Sequence, residues 1–414
     1  MKHRILHLSH LATMSGAEQA LLRLLGHPDR ARFESFVVLP EDGPLVAAIG
    51  ALGVETHIAQ VRWWIPASHW SAAEFIRQVA GLEERWRGLA DLAARERISL
   101  IHSNTVVTIE GALAAAALGI PHVWHSRGPL GGGFLPPPYL DDLSFFYSVI
   151  DELGDHLVCV SRAVREQALQ YVRATPCTAI PDGFDPGPEG RTATTRADFL
   201  AACGLAAGSR LIGCIGGVQR RKGQLELIEA FARIANIYPE AVLLLCGAAG
   251  DQPYMEQVEA CIRELRMAAR VRLLGFRSDV WDIVHHCEMV VHPSHSEGFG
   301  LATLEAMAAG VPVITTRSGG PEDIIEEGIS GLLVAPEAPV ELAAAMAALL
   351  ADTGRAQAIG AAARRRARLF TAAASARRLA DLWEQMLAAP AQKPCGSARA
   401  TAVCARVLAR FQDL

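Results

Sequence analysis

The 414-residue sequence has no CxxC pair, no GxGxxG run and no convincing DxD motif. It also lacks any stretch of ~18 uninterrupted strongly apolar residues, so no membrane-spanning helix is predicted. Each absence excludes something. The nine cysteines are odd in number and scattered, which fits reduced, mostly buried thiols rather than a disulfide framework or a zinc site. Without GxGxxG the dinucleotide-binding fingerprint is missing, and no cofactor is called for. Asp141-Asp142 stand in a loop with no partner, so no metal is expected. A net charge of −5 gives no wholesale affinity for nucleic acid. The start, Met1 to Leu8, reads as a strand too short and too polar for an export signal, which points to the cytoplasm.

What is present is ample core: 51% hydrophobic and 20% charged residues, in a chain longer than one core usually serves. Short apolar strands alternate with helical patterns in two series. The first has strands at Arg4–Leu8, Phe36–Pro40, Val54–Ile58, Leu100–Asn104, Pro121–His125 and His156–Val160. One long amphipathic helix is predicted through Phe75, Val79, Leu82, Trp86 and Leu92, and no element between Pro138 and His156. The second series starts at Leu211–Gly217 and ends at Gly331–Val334. Between them, Pro181 to Thr195 is rich in Pro, Gly and Thr and reads as the linker. The expectation is an α/β protein of two facing, doubly wound Rossmann-like domains with a cleft between them. Residues 1–190 form the first and 191–369 the second. A helix at about 370–390 packs back on the first, and 391–414 is a tail with no assigned role.

The most informative stretch is Glu297-Gly298-Phe299-Gly300-Leu301-Ala302-Thr303-Leu304-Glu305. A strand, Met289–Val291, leads into a polar turn, and a helical pattern begins at Leu301. A helix start offers unpaired amides and a positive dipole end to an anion, and the two carboxylates suit sugar hydroxyls. Alone, such a pair is usually a loop carboxylate and a solvated helix position. Its company raises it. Gly216-Gly217 followed by Arg220, Arg221 and Lys222 favours a diphosphate, and a solvated basic turn reads equally well. Ser15-Gly16 lies between a strand and a helix, where backbone can approach a ligand; an ordinary tight turn reads equally well. His125 ends a strand, where open α/β sheets place ligands; a satisfied structural histidine reads equally well. The Trp63-Trp64 loop suits an acceptor sugar, a membrane surface or a mere staple, and Gly131-Gly132-Gly133 forms an irregular loop. From Gly354 to Ala380 there are seven arginines and no acid, which suits either a solvated face or peripheral contact with anionic lipid.

In this combination the chain resembles the retaining GT-B glycosyltransferases of family 4, over nearly its whole length. The resemblance is carried, in order, by Ser15–Glu18, His125-Ser126, Val160–Val164, Ile180–Asp185, Arg221-Lys222-Gly223, Leu274-Gly275-Phe276 and Ser296–Ile314. It implies a nucleotide-sugar donor, UDP- or GDP-linked, and a saccharide or glycolipid acceptor, in polysaccharide, lipopolysaccharide or glycolipid synthesis. Glu305 would hold the ribose and Glu297 the donor sugar. Gly298 and the amides of Phe299, Gly300 and Leu301 would line the sugar and phosphates, and the backbone at Phe276-Arg277 would face the base. Lys222 with a neighbouring cation would neutralise the leaving diphosphate, Gly16 would meet it, and His125 would lie near the sugar. Three positions depart from the family pattern. Gly217 stands where arginine is frequent, leaving Arg221 or another neighbour to pair with Lys222. Ser15 replaces a glycine, and Asp182 an asparagine whose place is read as a turn. A sugar-nucleotide isomerase such as a 2-epimerase is the alternative on the same architecture. A non-catalytic partner subunit is disfavoured by the presence of both glutamates and Lys222.

Overall fold

Ile5, Leu6 and Leu8 have no solvent exposure, and they lie in the first strand of a seven-stranded parallel sheet. Strands buried on both faces read as continuous apolar runs, which is why these were visible in the sequence. The computed structural model describes residues 2–27, 29–67, 70–131, 143–185, 194–389 and 395–411. Gly132, Gly133, Asp141, Asp142 and most of the expected linker lie outside them.

The chain divides into two units, Met1–Gly183 with Ala372–Leu414, and Phe184–Thr371. In the first, the strands are β1 His3–Leu8, β2 Phe33–Leu39, β3 Glu55–Ile58, β4 Leu100–Ser103, β5 His122–Ser126, β6 His156–Cys159 and β7 Cys177–Ala179. Their order is β3-β2-β1-β4-β5-β6-β7. In the second they are β8 Arg210–Ile215, β9 Ala241–Cys246, β10 Val271–Gly275, β11 Met289–His292, β12 Val313–Thr316 and β13 Leu332–Val334, ordered β10-β9-β8-β11-β12-β13. Both sheets are parallel and doubly wound, with the order reversing at β1/β4 in one and β8/β11 in the other. Ligands of open α/β sheets bind outside the carboxyl ends of the strands at such a reversal.

Three departures from the sequence reading have physical causes. The long helix is two, Ala72–Val79 and Leu82–Arg95. Gly81 breaks it with φ +70, a left-handed conformation that glycine adopts at no steric cost. A further helix, Leu143–Leu153, buries Phe146, Tyr147, Ile150 and Leu153. That spacing is helical, but the Gly/Pro-rich run before it masks the pattern. The tail contains the helix Ser397–Arg410, which packs on the alanine-rich helix Glu110–Leu118. Val403, Cys404 and Val407 are buried there, and Phe411 meets Phe75 edge-on at 4.7 Å. The tail thus covers apolar surface of the first unit.

The arginine-rich stretch falls in two helices, Thr353–Ala367 and Ala372–Ala388, one in each unit. Arg366 is tied to the carbonyls of Ile324 and Asp323 and to Glu326, and Arg378 to the carbonyl of Ala179. Among the described residues no helix is long and apolar enough to cross a membrane.

Candidate functional site

In the second unit the site grows out of the β8/β11 reversal. After β8 the chain passes Gly216-Gly217 and makes a single 3-10 turn, Arg220–Lys222. After β11 it runs through Pro293 to Gly300 and enters the helix Leu301–Ala308. The two loops are tied directly. The His295 amide donates to the Arg221 carbonyl at 2.8 Å. Gly223, with φ +69, lies so close to Pro293 that a Cβ would stand 2.1 Å from its carbonyl oxygen. No other residue fits that approach. From the far side, Glu297 and Gly320 bind the loop to the segment after β12, with Glu297 N donating to Ser318 O at 3.0 Å and Gly320 N to Glu297 O at 2.8 Å.

These ties bring Lys222 onto Glu297 as a direct Nζ–Oε2 ion pair. Arg221 stands 4.0 Å from the same oxygen. Burial alone would raise the Glu297 pKa, but the field of Lys222 and then Arg221 outweighs it and holds the group at about 2. Arg220 is directed elsewhere, to Gln257 at 3.0 Å and over the Tyr254 ring. Arg221 is therefore the cation that shares this carboxylate with Lys222. Phe299 is buried against Phe370, leaving its backbone rather than its ring to a ligand. Gly300 caps the helix with no side-chain hydrogen bond. The first amides of that helix, from Leu301, are thereby an anion-seeking group. Glu305 lies half-buried one turn on. Gly298, in the same loop, is buried. Phe276 is 78% exposed beyond the edge strand β10, and the Arg277 guanidinium is engaged by Asp279 at 2.7 Å.

The site residues not anticipated from sequence include His295 and Glu226, joined at 2.9 Å. Glu226 sits in the first turn of the helix Gln224–Ala235. Its hydrogen bond raises the His295 pKa, while the His295 contact, set against burial, lowers that of Glu226. The signs follow. A raised histidine pKa gives stability that is complete below its unfolded value and lost as pH rises through the folded one. A lowered carboxylate pKa gives stability present above its unfolded value and lost as pH falls through the folded one. The clamp therefore holds between those two limits. Both groups are 23% exposed, so its worth is about 0.2–1 kcal/mol. In His295→Ala, thermal stability should lose its dependence on pH just above the ordinary histidine range. An unchanged pH profile would remove the clamp from this account.

In the first unit, Gly16 opens the helix Gly16–Gly26 beyond β1. A Cβ built there meets nothing within 4 Å, so the fold itself does not require glycine. Gly16→Ala should leave the melting temperature unchanged or raise it, by about 0.4–1 kcal/mol of stability. If the space serves a ligand, turnover should fall with no loss of fold. Full activity in Gly16→Ala would take Gly16 off the list of site residues.

Behind it Glu18 has no exposure, and its Oε1 lies 3.1 Å from His10 Nδ1. Ser9 donates to Glu18 at 3.3 Å, and Ser15 donates to its other oxygen. His125 is buried, with Nδ1 3.2 Å from His102 Nε2 and the rings stacked at 5.4 Å. His7 lies against His102, and Trp383 meets both edge-on. Burial and the nearby Arg127 push the pKa of His125 well below the ordinary value, so it is a neutral imidazole. Among the described residues its Nε2 has no hydrogen-bond partner.

Asp182 is more than the turn residue read from sequence. It forms a direct ion pair with Arg127, each side chain 9% exposed. Arg127 also donates to the Asn104 carbonyl at 3.1 Å and to Asn104 Oδ1 at 2.6 Å. Contacts between residues 55 positions apart leave no periodic trace in a sequence. Among the described residues no group of three or more His, Cys, Asp or Glu could hold a metal ion.

The sequence profile of glycosyl transferases group 1 matches residues 197–366, and that of glycosyltransferase family 4 matches residues 14–187. A D-inositol 3-phosphate glycosyltransferase of Corynebacterium kroppenstedtii is 33% identical over 338 residues, 76% of this chain and 74% of that protein. An alpha-maltose-1-phosphate synthase of Mycolicibacterium smegmatis is 29% identical over 304 residues, 66% of this chain and 74% of that protein. The crystal structure of Anabaena Alr3699/HepE in complex with UDP superposes with a TM-score of 0.77 at 25% identity, covering 93% of this chain and 100% of that one.

Proposed function

We propose that this chain, which belongs to the family 4 glycosyltransferases of GT-B fold, moves a sugar from a UDP- or GDP-sugar to a saccharide or glycolipid acceptor with retention of configuration. The observation that carries the reading is the Lys222–Glu297 pair, with Arg221 4.0 Å away, at the β8/β11 reversal beside an uncapped helix start. The hard step is departure of a nucleoside diphosphate with the electron pair of the anomeric C–O bond. Lys222, Arg221 and the helix amides stand where that negative charge would develop, and preorganised donors of this kind supply several kcal/mol. Two cations and a helix start serve that step without a metal. Glu305 is assigned to ribose hydroxyls, Glu297 and the backbone of Gly298 to Leu301 to the donor sugar and phosphates, and the backbone at Phe276-Arg277 to the base. In the first unit Gly16 and His125 belong to the same proposal. UDP is favoured over GDP because the Anabaena relative was solved with UDP.

The test is a thermal-shift titration with UDP, GDP and UDP-glucose, followed by kinetics of Glu305→Ala. One nucleotide should raise the melting temperature. Loss of charged hydrogen bonds to ribose should raise donor KM about 10- to 100-fold, at about 1.5–3 kcal/mol. No stabilisation by any nucleotide, or a normal KM in Glu305→Ala, would sink the assignment. A 2-epimerised product without transfer would convert the reading to an isomerase.

A further inference from the structure

The tryptophans after β3 divide their labour. Trp64 is 1% exposed, its indole N–H donates to the Val106 carbonyl at 2.8 Å, and its amide donates to the Val107 carbonyl at 2.9 Å. Nearby, the Arg62 amide donates to the buried Glu110 at 3.1 Å, and Glu110 pairs with Arg85 at 2.8 Å. These bonds fix the loop after β3 to the segment after β4. Trp63 bridges to Thr108 on that segment, but its side chain is only half-buried, as is that of Trp70. The two indoles sit 5.3 Å apart with planes tilted by 60°. The His10 ring lies 5.2 Å from that of Trp63. His10 in turn has the buried Glu18 carboxylate 3.1 Å from Nδ1.

We propose that Trp63, Trp70 and His10 form a subsite for a polyhydroxylated six-membered ring of the acceptor. Trp63, Thr108 and His10 follow the carboxyl ends of β3, β4 and β1, the edge at which parallel sheets bind ligands. A pyranose or cyclitol ring has an apolar C–H face and a rim of hydroxyls. An indole takes the face, since its large rigid ring buries apolar area while its polar tip stays available. With the carboxylate at Nδ1, Nε2 is the ring nitrogen left to a ring hydroxyl. Glu18 is suited to this because its charge is maintained: burial opposes ionisation, but His10 and Ser15 outweigh burial and lower its pKa. Trp64 is the staple that holds the loop rigid, so the aromatic cluster is both anchor and surface.

This inference rests on the glycosyltransferase reading, because a transferase of this family needs an acceptor. The experiment is saturation-transfer NMR on the full chain in the presence of UDP, with methyl α-D-glucopyranoside and myo-inositol as probes and irradiation of the indole protons. Wild type should transfer saturation to the C–H protons of at least one probe. Trp63→Leu and Trp70→Leu should each lose most of that signal, about fivefold or more, and Trp63→Phe should recover part of it. Equal transfer in wild type and both leucine variants, or none in wild type with either probe, would overturn the subsite. Melting curves of the variants show that they fold, and Trp63→Phe keeps the test decisive if Trp63→Leu does not. A thermal shift of wild type with UDP and with GDP keeps the two readings apart. Binding of either nucleotide without ring transfer in its presence removes the subsite alone, whereas binding of neither removes the donor reading whatever the probes do.

Discussion

Lys222→Ala should lower kcat by about 10²–10³-fold, the cost of removing one preorganised donor from a developing oxyanion. Donor KM should move much less, because the charge on the diphosphate grows as the bond breaks. A second explanation of such a loss has to be separated from the first. Lys222 is also the direct partner of Glu297, and without it that carboxylate keeps only Arg221 at 4.0 Å. Glu297 titrates at about 2 because of Lys222 and Arg221. Its contribution to stability is present above the unfolded value of 4.5 and is lost as pH falls through about 2. In Lys222→Ala the folded value should rise, so acid unfolding should begin at higher pH and stability at neutral pH should fall by about 1–3 kcal/mol. The double variant Lys222→Ala/Glu297→Gln removes the orphaned charge. It should melt close to wild type while kcat stays low. Recovery of kcat in the double variant would mean that Lys222 serves only to neutralise Glu297 and that the Glu297 carboxylate is not needed for the sugar, and both assignments would fail.

That cycle is available because the loop from Glu297 to Glu305 is readable from its own residues. Glu297, Gly300, Leu301 and Glu305 lie within nine positions, so the change from apolar strand to glycine loop to helical spacing is local. The same holds for Ile5–Leu8, Leu243–Leu245 and Val290-Val291, whose burial on both faces writes itself as a run of apolar residues. What was not readable is long in sequence. Glu226 reaches His295 across 69 positions, and each alone is an ordinary polar residue in a first turn or a loop. The pairing follows from β8 lying beside β11 rather than beside its successor in sequence alone. Helix breaks lie between the extremes. Gly81 was visible as a glycine, but its neighbours Val79 and Leu82 keep a helical stripe on both sides of the break, and periodicity outvoted the glycine. The Trp63-Trp64 dipeptide shows a related limit: sequence could propose staple or surface for the pair, and only the environments assign Trp64 to one and Trp63 to the other.

Asp182→Asn should destabilise the first unit by about 3–5 kcal/mol, although it restores the residue common in the family. The Asp182 and Arg127 side chains are each 9% exposed. An amide oxygen can still accept from the guanidinium but cannot neutralise it, so Arg127 would keep neutral acceptors, the Asn104 carbonyl and Oδ1 among them, and lose its paired charge. Removing one member of a buried pair is costly because the other charge remains, whereas replacing both with apolar groups is often close to neutral. Arg127→Met/Asp182→Leu should therefore unfold in urea nearer to wild type than Asp182→Asn does. The double variant carries a second readout. Arg127, after burial itself, is a cause of the low pKa of His125, His102 and His7. Without it the three imidazoles should become easier to protonate, and NMR titration of their ring protons should show the midpoints move upward. A wild-type urea midpoint for Asp182→Asn would show that neutral acceptors suffice for Arg127. Unmoved histidine titrations in the double variant would show that burial, not the cation, keeps the His7–His102–His125 row neutral.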